Sequence, residues 1–209
     1  MLGPPASGKG TQAEMITAKY GIPSASPGAM FRLEKAGGTE LGLAADQLTR
    51  NGNLVPDEMV CRVVEAWLKT NDGEFIFDGF PRSLGQATAL AGMLDRRKTP
   101  LEVALFLDVD FETISRRVEG RVVCSQCHAN LSVGLHIKNE QAACPRCGGR
   151  LVKRGDDNPE TLQLRLQEYK IKTEPLIAHY REIGLLQTVD STRSPADVFQ
   201  SIAKILESR

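Results

Sequence analysis

Nine residues near the start of the chain, GPPASGKGT from Gly3 to Thr11, constrain its fold more than any other stretch. Gly3, Gly8 and Lys9 satisfy the GxxxxGK pattern, with Gly10 where the strict motif carries Ser or Thr and Thr11 one position later. Such a loop belongs between a buried strand and a helix. Its glycines let backbone N–H groups curl around a phosphate, the helix N-terminus points at the anion, and the lysine neutralises the outer phosphates. GKGTQAEMITAKY supplies the helix, but only Met1 and Leu2 precede Gly3, so the expected strand is missing or drastically short. Either the start is assigned too late or the core tolerates a stub. A stub predicts lower stability than a chain extended by about four or five apolar residues.

The remainder alternates strand-like and helix-like patterns, as parallel strands joined by crossover helices require. EFIFD (74–78), EVALFLD (102–108) and LLQTVD (185–190) read as strands, each ending in Asp at the sheet edge where ligands bind. VPDEMVCRVVEAWLKT repeats apolar residues at helical spacing behind Pro56, and Cys61 on it reads as a small core residue. SLGQATALAGML and SPADVFQSIAKIL are amphipathic too, the second with Ser194 as cap and Pro195 in its first turn. Two segments break the alternation. Residues 26–55 look helical and glycine-punctuated, and residues 120–157 hold four of the five cysteines. Without an internal repeat or a low-complexity linker, both read as insertions packed on one core formed by 1–25, 56–119 and 158–209.

Cys124 and Cys127, sixteen intervening residues, then Cys144 and Cys147 form paired CxxC turns with zinc-knuckle spacing. Four thiolates at about 2.3 Å close a tetrahedron around Zn²⁺ and leave no position for water, so the expected ion is structural. His128 and His136 lie within the span as substitute ligands, yet the sulfurs suffice. Two disulfides are disfavoured, because a chain with no leader and no run of 18 apolar residues is expected to be soluble, cytoplasmic and kept reduced. Lys plus Arg and Asp plus Glu both number 26, and aromatics are 5%. That balance argues against a nucleic-acid reader, which wants a basic groove with stacking platforms.

GPPASGKGTQ, MFR, LVPDE, DGFPRSLGQA, the GR ahead of the cysteines and RGDDNPETLQLRL follow one another in an order and spacing that resemble the adenylate kinases of the long-lid bacterial type. The resemblance runs from Gly3 to about Leu206. It implies a P-loop kinase fold, a doubly wound parallel sheet in which 26–55 clasps a nucleoside monophosphate and 120–157 is a lid over ATP. It also implies Mg²⁺-dependent phosphoryl transfer between ATP and AMP to give ADP, by a monomer. By this resemblance Gly3, Gly8, Lys9, Gly10, Thr11, Arg117, Arg121 and Arg193 bind ATP, Arg117 against its adenine. Arg32, Val55, Gly79, Arg82, Gln86, Arg154 and Arg165 bind AMP, with Gln86 reading the base. Lys9, Arg82, Arg121, Arg154 and Arg165 surround the transferred group, Asp78 organises Mg²⁺ through water, and Asp156 and Asp157, at the lid hinge, position Arg154 and the nucleotide. Zn²⁺ in such lids is structural.

The chain departs from the family pattern in three places. Ala6 replaces a customary glycine in the phosphate loop, and Ser26, Pro27, Gly28 and Ala29 stand where Ser-Thr-Gly-Asp is usual. Pro27 lacks a hydroxyl and a backbone donor near AMP, and Ala29 lacks a carboxylate near the metal's waters. These departures admit a degenerate or altered-specificity relative as the alternative reading; a zinc-ribbon protein with an ATP switch is a second one.

Overall fold

The computed structural model describes residues 1–50, 55–127, 129–153 and 157–208. Its core is a parallel sheet whose centre is its shortest piece. Strand β1 (Ser24–Ala25) pairs in parallel with β2 (Ile76–Phe77), and β3 (Ala104–Asp108) with β7 (Leu186–Asp190). Between the two pairs lies the Met1–Leu2 stub. The Met1 amine donates to Phe77 O at 2.6 Å, Leu2 N donates to Leu105 O at 2.7 Å, and Leu107 N donates to Leu2 O at 2.9 Å. Two residues thus stand in the place of the strand that the phosphate loop should follow, and they join the halves of the sheet.

The strands are shorter than their apolar runs. In EFIFD only Ile76 and Phe77 are in the ladder, while Phe75 packs edge-on against Trp67 with ring centroids 5.7 Å apart. β1 was not expected, since two residues are too few to show a period of two.

Helices cover both faces. On one, Ala13 and Ile16 of α1 (Lys9–Tyr20) and Val198 and Ile202 of α9 (Pro195–Glu207) pack on Leu105, Leu107 and Val189. On the other, Ala87 of α5 (Leu84–Arg97) and Leu176 and Tyr180 of α8 (Pro175–Glu182) meet Leu2 and Ala104. The 26–55 segment forms α2 (Pro27–Ala36) and α3 (Glu40–Arg50), and residues 51–54 lie outside the described part. Phe31 and Ala45 share one buried cluster with Val60, Val64 and Leu68 of α4 (Asp57–Leu68) and with Phe77, Phe80 and Leu90. Among the described residues this insertion therefore leans on the main core, with no separate buried cluster.

Side-chain caps fix where helices begin. Asp110, Asn158 and Ser194 accept from the backbone N–H three residues on, at the starts of α6 (Phe111–Glu119), α7 (Pro159–Glu168) and α9. α7 runs into a π-helical turn, Tyr169–Thr173, before α8.

The cysteine segment is built differently. Strands β4 (Arg121–Cys124), β5 (Asn130–Ser132) and β6 (Leu151–Val152) form an antiparallel sheet in the order β5-β4-β6. Its buried cluster is Val122, Cys124, Ala129, Leu131, Cys144 and Leu151, in which two of the paired cysteines do part of the filling.

Candidate active site

The phosphate loop is a cradle that side chains would fill. A Cβ on Gly3 would sit 2.7 Å from Ser7 Oγ and 2.8 Å from Leu107 O, so only glycine fits between the stub and the end of β3. Gly8 caps α1 in the left-handed region at φ 96° and offers no side-chain acceptor, which leaves the first N–H groups of the helix for an anion. Ala6 also sits left-handed, at φ 59°. That conformation costs an L-residue about 1–2 kcal/mol relative to glycine, so the sequence-level concern about a Cβ here becomes a definite strain. Buried Ser7 anchors the loop by accepting at its carbonyl from Ser191 Oγ at 2.6 Å.

Lys9 Nζ donates to Gly3 O and Pro4 O, both at 2.8 Å, and to Ser7 Oγ at 3.2 Å. Burial pulls its pKa from the ordinary lysine value down to about 7; Asp78 opposes the shift, while Arg82, Arg165 and Arg121 add to it. The lysine is thus held where positive charge is costly until an anion arrives. A phosphate supplies that anion and favours the ammonium.

One cavity of about 1140 Å³ opens in front of this loop. Gly3, Gly8, Lys9, Gly10 and Thr11 line it, as do Arg32, Val55, Asp78, Gly79, Arg82, Gln86, Arg117, Arg121, Arg165 and Arg193. The described residues that the sequence assigned to ATP or AMP therefore line a single space, while Asp157, expected to position the nucleotide, is not on its wall. Arg154 and Asp156 lie outside the described residues, as does His128. Of the three strand-end carboxylates, Asp78 lines the cavity. Asp190 instead pairs with Arg193 at 3.2 Å, and Asp108 is exposed at the end of β3. Ser26, Pro27 and Gly28 line the cavity, whereas Ala29 is not on its wall.

The arginines come from separate elements, and each is aimed by a local contact. Arg82 follows β2 and donates through Nε to Gly79 O at 2.8 Å; Gly79 has φ 69°, and a Cβ there would stand 3.0 Å from the guanidinium. Arg117 of α6 donates to Ser191 O at 2.7 Å, joining the helix to the end of β7. Arg121 opens β4 and makes a two-pronged pair with Asp157, its Nε 2.5 Å from Oδ2, and Arg165 of α7 approaches the same carboxylate at 3.5 Å. The Asp157 side chain is only 2% exposed, so one buried carboxylate sets the spacing of two cavity arginines.

Several cavity residues had no signal in the sequence. Thr173, in the π-helical turn, donates to Arg82 O at 2.8 Å, and no pattern announces such a turn. Arg116, Lys35 and His136 also line the wall. His136 accepts at Nδ1 from Ser132 N at 3.0 Å, and burial lowers its pKa.

At the far end of the lid the four cysteine sulfurs lie within 4.8 Å of one another, with Cys124 and Cys147 at 3.4 Å and Cys127 and Cys144 at 3.7 Å. A tetrahedron with metal–sulfur bonds of about 2.3 Å has edges of about 3.8 Å, so the cluster fits such an ion. The separations are far from an S–S bond of about 2.05 Å, and all five cysteines are free. The backbone N–H of Cys127, with that of Gln126, draws the Cys124 thiol down to about 6. Against the backbone N–H of Ala129, the neighbouring Cys147, Cys124 and Cys144 sulfurs push the Cys127 thiol up to about 12, so the shared proton sits on one sulfur of the group at the expense of another.

A parallel sheet, a glycine loop on a helix N-terminus and an arginine-walled cavity at the carboxyl ends of the strands define a P-loop phosphotransferase. The family model for adenylate kinase matches residues 1–185. Adenylate kinases of Thermodesulfovibrio yellowstonii (43% identity, 100% of this chain and 98% of the relative), Methanosarcina barkeri (42%, 99% and 97%) and Archaeoglobus fulgidus (43%, 99% and 96%) are similar over nearly their whole length. The chain belongs to the adenylate kinase family, and its reaction is ATP plus AMP to two ADP. The degenerate relative and the nucleic-acid switch are not favoured beside it.

Proposed function

We propose that ATP lies with its phosphates on the Gly3–Thr11 loop and its adenine against Arg117, and that AMP enters from the side walled by Arg32, Val55, Gly79 and Gln86. The supporting observation is that all of these residues line one cavity together with Lys9. A phosphoryl transition state asks for in-line positioning and for positive charge on the moving oxygens. Arg82, Arg121 and Arg165 supply that charge here, in forks that bind phosphate bidentately and do not lose their protons. Arg154 belongs to the same set by its place in RGDDN. Lys9 exchanges its three loop oxygens for phosphate oxygens, and Arg193 contributes at the ATP end.

Asp78, at the end of β2, would hold Mg²⁺ through water. Mg²⁺, when bound, neutralises phosphate oxygens. The four cysteines hold Zn²⁺ as a closed structural site, because their sulfurs complete its coordination. Among the described residues no helix is long and apolar enough to cross a membrane. We read the protein as a cytoplasmic monomer that uses ATP, AMP and ADP and has no nucleic-acid partner.

The deciding experiment measures Mg²⁺-dependent ADP formation from ATP with AMP, GMP, CMP and UMP side by side. AMP-selective turnover is expected, and salt-dependent RNA or DNA binding without turnover would refute the reading. Pro27 is buried at the first position of α2 and lines the cavity, so Pro27→Thr should lower KM for AMP about threefold by returning one hydrogen bond. Unchanged kinetics would remove Pro27 from the account.

A further inference from the structure

Gln86 is 3% exposed, lines the cavity and carries a side-chain amide whose two ends are chemically opposite. Its orientation is decided by partners that can act in only one way. The backbone N–H of Arg82 can only donate, and it points at Oε1 at 2.7 Å. The carboxylate of Asp57 accepts, and Nε2 donates to its Oδ1 at 2.7 Å. Turning the amide over would set Oε1 against the carboxylate and the NH₂ against the Arg82 N–H, an acceptor on an acceptor and a donor on a donor. Asp57 is itself held, since its Oδ2 accepts from Ser83 Oγ, the same hydroxyl that caps α5 by accepting from Gln86 N at 3.1 Å. Asp57 stands at the start of α4 and does not line the cavity, so it can act on a ligand only through Gln86.

Each lock consumes one lone pair of Oε1 and one N–H of Nε2, and one of each remains for a base. A 6-aminopurine edge offers a donor at its exocyclic nitrogen beside an acceptor at N1. A 6-oxopurine edge offers the reverse, an acceptor at O6 beside a donor at N1. A glutamine free to turn over fits either edge, whereas a locked one fits one of them.

We propose that Asp57 is a specificity-determining positioning residue that fixes the Gln86 amide in one orientation and so makes the monophosphate site choose a 6-aminopurine over a 6-oxopurine. The proposal rests on Gln86 reading the AMP base. It assigns Asp57 no contact with substrate and no part in phosphoryl transfer.

The test compares AMP with IMP, which differs from it at the 6-position and N1. Asp57→Asn offers Gln86 either a donor or an acceptor and Asp57→Ser removes the carboxylate altogether, so each takes away one of the two locks on the amide and leaves only the Arg82 N–H to oppose its turning over. In both, the AMP-over-IMP ratio of kcat/KM should fall roughly tenfold, the discrimination of one charge-assisted hydrogen bond, with KM for AMP carrying more of the change than kcat. Ser83→Ala removes the other partner of Asp57 and should lower Tm while leaving the ratio in place. In a Gln86→Ala background, Asp57→Asn should change the ratio no further. A lower Tm with an unaltered ratio in both Asp57 variants would overturn the proposal and leave Asp57 as a tie between α4 and α5. An unaltered ratio in Gln86→Ala alone would instead overturn the reading of Gln86 beneath it. The two failures are distinguishable because only the second leaves the ratio insensitive to Gln86.

Discussion

The phosphate loop and the cysteine knuckle are both short, glycine-bearing segments that place charged groups on the same cavity, yet they are held in opposite ways. The loop hangs from the sheet: Leu2 exchanges backbone hydrogen bonds with Leu105 and Leu107, Ser7 is anchored by Ser191, and Ile16 packs α1 against β3. The knuckle has six buried residues for a core, two of them cysteines, and its strands are two to four residues long. Packing is enough for the first. On the proposed reading the second depends on a metal held by its four cysteines, because so small an apolar cluster cannot offset the chain entropy it must fix.

Removing the metal ligands breaks this comparison most strongly. Structural zinc in small domains contributes about 10–16 kcal/mol of apparent binding free energy, so Cys147→Ser or chelation should melt the lid well before the core. Calorimetry should then resolve a lid transition at a lower temperature than in the metal-bearing protein, with the core transition little changed. Substantial turnover should survive at low temperature, and complete loss of chemistry in a still-folded lid would contradict a structural ion.

The next effect lies at the centre of the sheet. Preceding Met1 with about four or five apolar residues should add ladder bonds beside both β2 and β3, raising core stability by about 2–4 kcal/mol while leaving the lid transition in place. Equal melting temperatures would mean that the two-residue stub already satisfies the sheet. Smaller again is Ala6→Gly. It relieves the left-handed strain at φ 59° and should stabilise the core by about 1 kcal/mol, less the extra entropy glycine brings to the unfolded chain. An unchanged core Tm would show that the loop has relaxed around the methyl group.

The smallest effect joins the two regions. Arg146, beside Cys147, pairs with Glu14 of α1 at 2.5 Å, with both side chains about half exposed. Arg146→Ala should cost less than about 1 kcal/mol and show mainly as a salt-dependent rise in lid mobility by hydrogen exchange. A larger loss would mean that the lid relies on the core more than its metal site suggests.

Much of this was readable along the chain because its causes are local. GxxxxGK encodes a turn and a helix start within nine residues, two CxxC turns encode a metal site, and Ser194 and Pro195 encode a helix start. The short strands were harder. Ser24–Ala25 and Ile76–Phe77 are strands only because each lies beside the other, and two residues carry no period. The sequence read 26–55 as packed on one core, but it could not name Phe31 and Ala45 as the residues through which α2 and α3 join it, since that depends on surfaces more than ten residues apart.

By itself, the sequence determined the candidate side chains and the local turns that present them: the phosphate loop with Lys9, the cysteine pairs and the arginines of MFR, FPR and GR. Only the tertiary structure decided how they are aimed. Asp157 gathers Arg121 and Arg165, Thr173 steadies Arg82 from a π-helical turn, and Asp57 decides which way Gln86 faces. The physical reason is range. A turn or a cap is settled by neighbours a few residues away, whereas a hydrogen bond between residues 57 and 86 exists only after α4 and α5 have packed.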